Sequence, residues 1–299
     1  MKILVTGASG RIGQAISLRL TAQRHTVVGL DRRPSPLVQH QPDLGQLHLP
    51  ANAAALASAL RGVDAVVHSA ALHAPDVGVA SDAEYERSNV IGTQQLWRQA
   101  VQAGVRRFVF TSTTALYGAA ASALGRAAWL TEASLPQPRT VYHRSKLAAE
   151  AWLRDAATQP GAPVLRILRV SRCFAEAAPP MAVYRLHRGI AAADVAIAHE
   201  LALTDGGAAV ELFIVSAPTP FEPADAAALF DDAPSVLARR APQLVAWFAR
   251  RGWPLPARID RVYDASKAAH QLGWVAQQGP EAVLRQLDSG SADVLPASG

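Results

Sequence analysis

The 299-residue chain is 50% hydrophobic and 18% charged, with a net charge of +5 and one cysteine. An ordinary apolar fraction at low charge density excludes disorder as the main state, and the lone Cys173 excludes an internal disulfide. The basic residues are scattered, with no block of like charge and no aromatic RNA-binding signature, so the charge reads as a solvated surface without a nucleic-acid partner.

In chain order, Lys2 to Thr6 is a short apolar run ending at Gly7, which predicts a buried strand. Gly10 to Gln23 repeats apolar residues at helical spacing, and Thr26 to Leu30 is a second strand closed by Asp31. A helix over 51–60, a strand over 64–69 and a helix opened by the capping box Ser81–Glu84 follow; this helix runs unbroken to Gly104. Arg107 to Ser112 predicts a strand buried on both faces, residues 142–157 a helix, and 164–170 a strand. Beyond residue 171 the alternation weakens into a helix at 194–203, a strand at 211–215 and Ala-rich helices interrupted by Pro. Strict strand–helix alternation implies parallel strands joined by crossover helices, an α/β doubly wound sheet. The expected division is 1–172 for the sheet domain and 173–299 for a smaller, mostly helical substrate region partly interleaved with it. Apolar runs are too short for the ~20 residues of a membrane span, and the first leads straight into a glycine loop rather than a signal-peptide core. The expectation is a soluble cytoplasmic chain with no membrane partner.

Gly7-Ala-Ser-Gly10-Arg-Ile-Gly13 joins the first strand to the first helix. Gly7 permits the turn, Gly10 a close backbone approach to a pyrophosphate, and Gly13 tight helix–sheet packing. With Ser9, Arg11 and Ile12 they form a candidate phosphate cradle at a helix N-terminus. Asp31, at the end of the second strand, suits the ribose hydroxyls of NAD, while Arg32 and Arg33 leave NADP open. Only three of the 29 basic residues are lysines. One of them, Lys146, lies one helical turn after Tyr142, where an ammonium would favour the phenolate. The hydroxyls of Thr111-Ser-Thr-Thr114 end a central strand and would face a ligand crevice, where one of them could hold a substrate oxygen.

With these residues the chain resembles the extended branch of the short-chain dehydrogenase/reductase superfamily, the NAD-dependent epimerase/dehydratase family. The likeness extends to Val66-Val-His-Ser-Ala-Ala71, Asn89-Val-Ile-Gly-Thr93, Ala193-Asp-Val-Ala196, Asp264-Ala-Ser-Lys-Ala268 and Leu272-Gly-Trp274. It implies a Rossmann fold with Thr113, Tyr142 and Lys146 as the catalytic set. Ala70 and Ala71 would line the cofactor, and Asn89 would steady the loop of the family's fourth strand. It also implies a homodimer through helices 82–103 and 142–157. Where nucleotide-sugar enzymes of this branch carry an Asn, this chain has Arg172, and only 22 positions separate it from Asp194. That short substrate region resembles uronate dehydrogenase. Arg172, Arg185 or Arg188 could then pair a substrate carboxylate, with His73 and Thr114 as further substrate contacts.

The reading that follows is an NAD(P)-dependent oxidoreductase acting on a small polar alcohol or ketone, such as a sugar or sugar acid. A nucleotide-sugar 4-epimerase or related dehydratase is the alternative. Thr114 and Ala115 stand where a dehydratase places an acid, which counts against dehydration. A cofactor-sensing protein without chemistry is a third reading, weakened by retention of both Tyr142 and Lys146. The nine His lack ligand spacing, so no metal is expected. Trp247, Phe248 and Trp253 read as core.

Overall fold

The computed structural model describes residues 1–120 and 125–297. In chain order it contains β1 (Lys2–Thr6), α1 (Arg11–Ala22), β2 (Thr26–Leu30), α2 (Pro50–Ala59), β3 (Ala65–His68), α3 (Asp82–Tyr85) and α4 (Gly92–Gln102). Then follow β4 (Arg107–Thr113), β5 (Ala128–Leu130), α5 (Val141–Ala156), β6 (Val164–Val170), β7 (Glu176–Ala177), α6 (Ala178–Tyr184), α7 (Ala192–Ala202) and β8 (Val210–Val215). The C-terminal part carries α8 (Ala226–Asp231), α9 (Ala233–Arg240), α10 (Pro242–Arg251), β9 (Arg261–Tyr263), α11 (Ser266–Leu272), α12 (Pro280–Asp288) and β10 (Val294–Leu295).

The chain divides into two compact units that alternate along the sequence: 1–116, 138–169 and 195–213 in the first, 117–137, 170–194 and 214–299 in the second. A single division near residue 172 does not describe the crossings after 116 and after 213. Six parallel strands in the order β2-β1-β3-β4-β6-β8 make the central, Rossmann-like sheet. In β1, Ile3, Leu4 and Val5 are fully buried because helices cover both faces of such a sheet. On α1 the stripe Gly13, Ile16, Ser17 and Leu20 turns inward, whereas Leu18 on the opposite face is exposed. The core of this unit joins Leu4, Val66, Leu96, Phe108, Phe110 and Ile167. Strand order reverses between β1 and β3, and the crevice beyond their carboxyl ends is the place where such sheets bind ligands.

One predicted helix is two. The capping box forms as expected, with Ser81 N–H donating to Glu84 Oε2 (2.8 Å) and Glu84 N–H to Ser81 Oγ (3.3 Å). Yet α3 gives way to a π-helical turn over Glu86–Ile91 before α4 begins. Within this wider turn the Asn89 carbonyl accepts the Thr93 hydroxyl (2.7 Å), and the Asn89 side chain reaches another loop at Leu72. Gly104, at φ +76°, then closes α4 in the left-handed conformation that its sequence position predicts.

The second unit has its own core of Met181, Phe221, Leu229, Val236, Phe248 and Val262, with Trp247 and Trp253 packed against it. Two short parallel pairs, β5 with β9 and β7 with β10, lie here. Two of the family-like motifs meet within it. Asp194 accepts the backbone N–H groups of Gln277 (2.9 Å) and Gln278 (3.0 Å), and its carbonyl accepts the Trp274 indole (3.0 Å). Their role is to tie the chain's end to the start of α7. Among the described residues no helix is long and apolar enough to cross a membrane.

Candidate active site

The first unit gathers the glycine loop, Asp31, the loop after β3, and the Thr113, Tyr142 and Lys146 side chains. Gly7 stands at φ +72°, and a Cβ there would sit 2.8 Å from the Ala70 nitrogen, so the glycine loop and residues 69–70 touch backbone to backbone. A Cβ on Gly13 would lie 2.0 Å from the Gly7 carbonyl oxygen. Gly10 is the N-cap of α1 and gives it no side-chain cap, so no side chain competes with an anion for the helix mouth. Gly13→Ala is accordingly expected to cost about 1–3 kcal/mol of stability, read from urea unfolding, and to abolish NAD binding.

Asp31 is buried at the end of β2. Its Oδ2 accepts the Ser9 N–H (3.0 Å) and its Oδ1 accepts the Arg33 N–H (2.9 Å), while Ser9 Oγ donates to the Arg33 carbonyl (2.7 Å). The carboxylate is therefore clamped to the glycine loop, with lone pairs left for ribose hydroxyls. Arg33 approaches it at 3.9 Å, and the Arg32 side chain is exposed. Ala70 donates its N–H to Thr6 Oγ1 (3.2 Å). An uncapped helix mouth, a Cβ-free cradle and a fixed carboxylate fit a dinucleotide.

Asn89 does more than steady one loop. Its amide brackets the backbone of Leu72 (Leu72 N–H to Oδ1, 2.8 Å; Nδ2–H to Leu72 O, 3.0 Å) and donates to Ser145 Oγ (3.0 Å). Ser145 Oγ donates in turn to the Tyr142 carbonyl (3.0 Å). The loop it holds is the one following β3.

Thr140 caps α5, and Tyr142 lies in its first turn, packed with Leu72 and Tyr85. Burial pushes the phenol up to about 12, a hydrogen bond with the Thr113 side chain pulls it down, and Tyr85 adds a small upward push. Lys146, expected to make the phenol more acidic, is not among the groups that set it. The reason is that Lys146 is itself buried. Its amine sits 3.9 Å from the centre of the Phe110 ring, and burial pulls it down to about 7 against the opposing pull of Glu150. An amine titrating near neutrality supplies only part of a positive charge there. Folding thus strips a proton from Lys146 between its folded value of about 7 and the ordinary 10.5, so stability falls as pH drops through that window. Lys146→Met is expected to melt above wild type at neutral pH, with the gap closing as pH approaches 10.5 in calorimetry.

Thr113 Oγ1 accepts the Ala115 N–H (3.1 Å), leaving its proton for the phenol or a ligand oxygen. Thr114 is buried at the same strand end. His73 is exposed on the loop beside Tyr142, the two rings 6.4 Å apart, with its carbonyl accepting the Tyr85 hydroxyl (2.6 Å). Arg172 lies in the second unit, where Glu176, four positions on, holds its guanidinium (Nε–H to Oε1, 2.6 Å). Arg188 likewise pairs with Asp260 (3.4 Å) and stacks on Tyr184, and Arg185 is buried.

Sequence reasoning missed a buried ionic cluster behind Lys146. Ser112 Oγ and the Arg169 guanidinium (Nη2–H to Oε2, 2.6 Å) both donate to Glu150, with Arg169 and Glu150 almost wholly buried. The signal was available: Glu150 follows Lys146 by four positions on a helix face that Ala149 and Leu153 mark as inward. His68 and its two threonine partners were also missed. Among the described residues no group of three or more His, Cys, Asp or Glu is placed to hold a metal ion.

The profile of the NAD dependent epimerase/dehydratase family matches residues 3–210. Over 119 residues the chain is 36% identical to a 3-beta-hydroxysteroid dehydrogenase of Mycolicibacterium neoaurum, covering 38% of this chain and 32% of that one. Over 129 residues it is 35% identical to a UDP-glucose 4-epimerase of Klebsiella pneumoniae, covering 40% of this chain and 93% of the other. The matched stretch is thus about a third of the dehydrogenase's length. Among solved structures, MoeE5 in complex with UDP-glucuronic acid and NAD superposes with a TM-score of 0.69 at 24% identity over 96% of this chain and 98% of that one. A short-chain dehydrogenase/reductase superfamily protein from Agrobacterium tumefaciens with bound NAD gives 0.70 at 22% identity, over 97% and 96%. At such identities the likeness is one of fold.

Proposed function

The chain belongs to the NAD-dependent epimerase/dehydratase family, and from that premise we propose that it moves hydride between NAD and a carbinol carbon of a small polar substrate, a compact sugar or sugar acid, with Tyr142 carrying the proton. The observation that carries this is the buried Tyr142 phenol hydrogen-bonded to Thr113 in the same unit as the glycine loop and Asp31. When bound, NAD supplies the hydride acceptor or donor. Gly10 and the first turn of α1 hold its pyrophosphate, and Asp31 its ribose. Thr113 steadies the reacting oxygen, Tyr142 takes or returns the proton on that oxygen, and Lys146 lends its amine to the phenolate and the neighbouring ribose. A clamped carboxylate at Asp31 repels a 2′-phosphate, which supports NAD over NADP.

The 22-position span from Arg172 to Asp194 supports a compact substrate, because walls for a nucleotide need a longer segment. The match to the Klebsiella epimerase along nearly its whole length favours a second reading, a nucleotide-sugar 4-epimerase. One panel separates the two. Purified protein with NAD or NADP is followed by the absorbance of reduced nicotinamide against free uronates, aldoses and UDP-sugars. Net reduction with free sugars, preferring NAD, is expected; tight UDP-glucose binding and epimerisation without net reduction would replace the first reading by the second. A homodimer through α3–α4 and α5 is also proposed, supported by the exposed Ile91 and Val101 on this surface. Light scattering at micromolar concentration should give twice the chain mass, and a monomer would contradict it.

A further inference from the structure

We infer that His68 is a positioning residue: held in one neutral tautomer, it closes a one-way hydrogen-bond chain from the loop beside the glycine cradle to the backbone of Tyr142. The inference rests on the reading of this site as NAD-binding and concerns a residue to which that reading gives no role.

His68 ends β3 at 1% exposure, with the rings of Phe108 and Phe110 at 6.0 and 5.6 Å. Its Nδ1 lies 2.7 Å from Thr6 Oγ1 and its Nε2 2.8 Å from Thr93 Oγ1. The directions follow from proton counting. Thr93 Oγ1 donates its single proton to the Asn89 carbonyl (2.7 Å), so towards the ring it can only accept, and Nε2 carries the hydrogen. In a neutral imidazole Nδ1 is then an acceptor and takes the Thr6 hydroxyl proton. Thr6 Oγ1 in turn accepts the Ala70 N–H (3.2 Å). Every donor from Ala70 through Thr6, His68 and Thr93 to Asn89 points the same way.

A second ring proton would meet the Thr6 hydroxyl proton head on. It would also be deeply buried and face the Lys146 amine, the charged group that reaches it from α5; together these pull the ring down to about 3. Beyond the Asn89 carbonyl the connection is covalent to its own side chain, whose Nδ2–H donates to the Leu72 carbonyl (3.0 Å) and to Ser145 Oγ (3.0 Å), and Ser145 Oγ donates to the Tyr142 carbonyl (3.0 Å). Its two ends are therefore the cofactor-side loop and the helix turn bearing the proton carrier. An ångström of misplacement between such groups is enough to cost about 100-fold in rate. The Asn89 carbonyl that accepts from Thr93 lies within the π-helical turn.

The test uses the full chain, with NAD as probe in calorimetric titration. His68→Leu and Thr93→Val are each expected to weaken NAD binding about tenfold, and the double variant no further, since both cut the same chain. Thr93→Ser, which keeps the hydroxyl, should bind as wild type does. Ring nitrogen NMR of the wild-type protein should show the Nε2–H tautomer, unchanged from pH 5 to 8, whether or not the variants fold. A ring that titrates in that range or carries its proton on Nδ1 would overturn the inference. So would additive losses, or unaltered NAD affinity in folded variants of a wild type that binds NAD. A wild type with no NAD affinity would instead overturn the reading of the site, and this inference with it.

Discussion

Tyr142→Phe is expected to lower turnover by about 10²–10⁴-fold while leaving NAD affinity unchanged. The substitution removes one oxygen from a ring whose packing against Leu72 and Tyr85 stays intact, so cofactor binding and folding have no reason to respond. What is lost is the proposed proton carrier. In the free protein burial holds the phenol at about 12, making it a proton donor at neutral pH, suited to reducing a ketone. To act as a base on an alcohol it needs positive charge nearby, which a bound oxidised nicotinamide would supply, with Lys146 adding only the part of a charge it keeps near neutrality. Because the base form grows with pH, alcohol oxidation should accelerate as pH rises and ketone reduction should slow. A Phe variant retaining more than a tenth of wild-type turnover would contradict the assignment.

Glu150→Gln should destabilise the protein by about 3–5 kcal/mol, the largest stability effect in the first unit. Arg169 sits at 4% side-chain exposure and has its charge met by Glu150. Removing that carboxylate leaves a buried guanidinium uncompensated, and it also deprives Lys146 of the group that holds its amine up. The added substitution Arg169→Met is expected to recover most of the loss, because a buried ion pair stabilises little over apolar packing. Urea unfolding of the single and paired variants measures this. A single-variant loss below about 1 kcal/mol would mean that water reaches the pair.

The alternation of the first 170 residues was legible because β1, β3 and β4 are nearly continuous apolar runs bounded by turn residues, and α1 and α5 keep a helical stripe. The glycine loop was legible for a different reason: Gly7 and Gly13 occupy positions where a side chain collides with backbone. The π-helical turn was not, since the spacing of residues 86–91 does not mark it, nor that Asn89 within it bonds a loop 17 positions earlier. Short pairs such as β7 with β10 were hidden because two residues carry no periodicity. The acidity of Tyr142 was misjudged because spacing reports that Lys146 is near but not that it is buried. The Arg172–Glu176 pair was not legible, because spacing does not report which partner a guanidinium takes.

Proton transfer by Tyr142 requires the phenol to stand beside a bound nicotinamide. Ultraviolet titration of tyrosine ionisation, with and without NAD and with Tyr142→Phe to assign the transition, tests this directly. A midpoint above the ordinary tyrosine range in the free protein that moves down when NAD binds is the predicted result. A midpoint indifferent to NAD would place the phenol away from the cofactor and contradict the account.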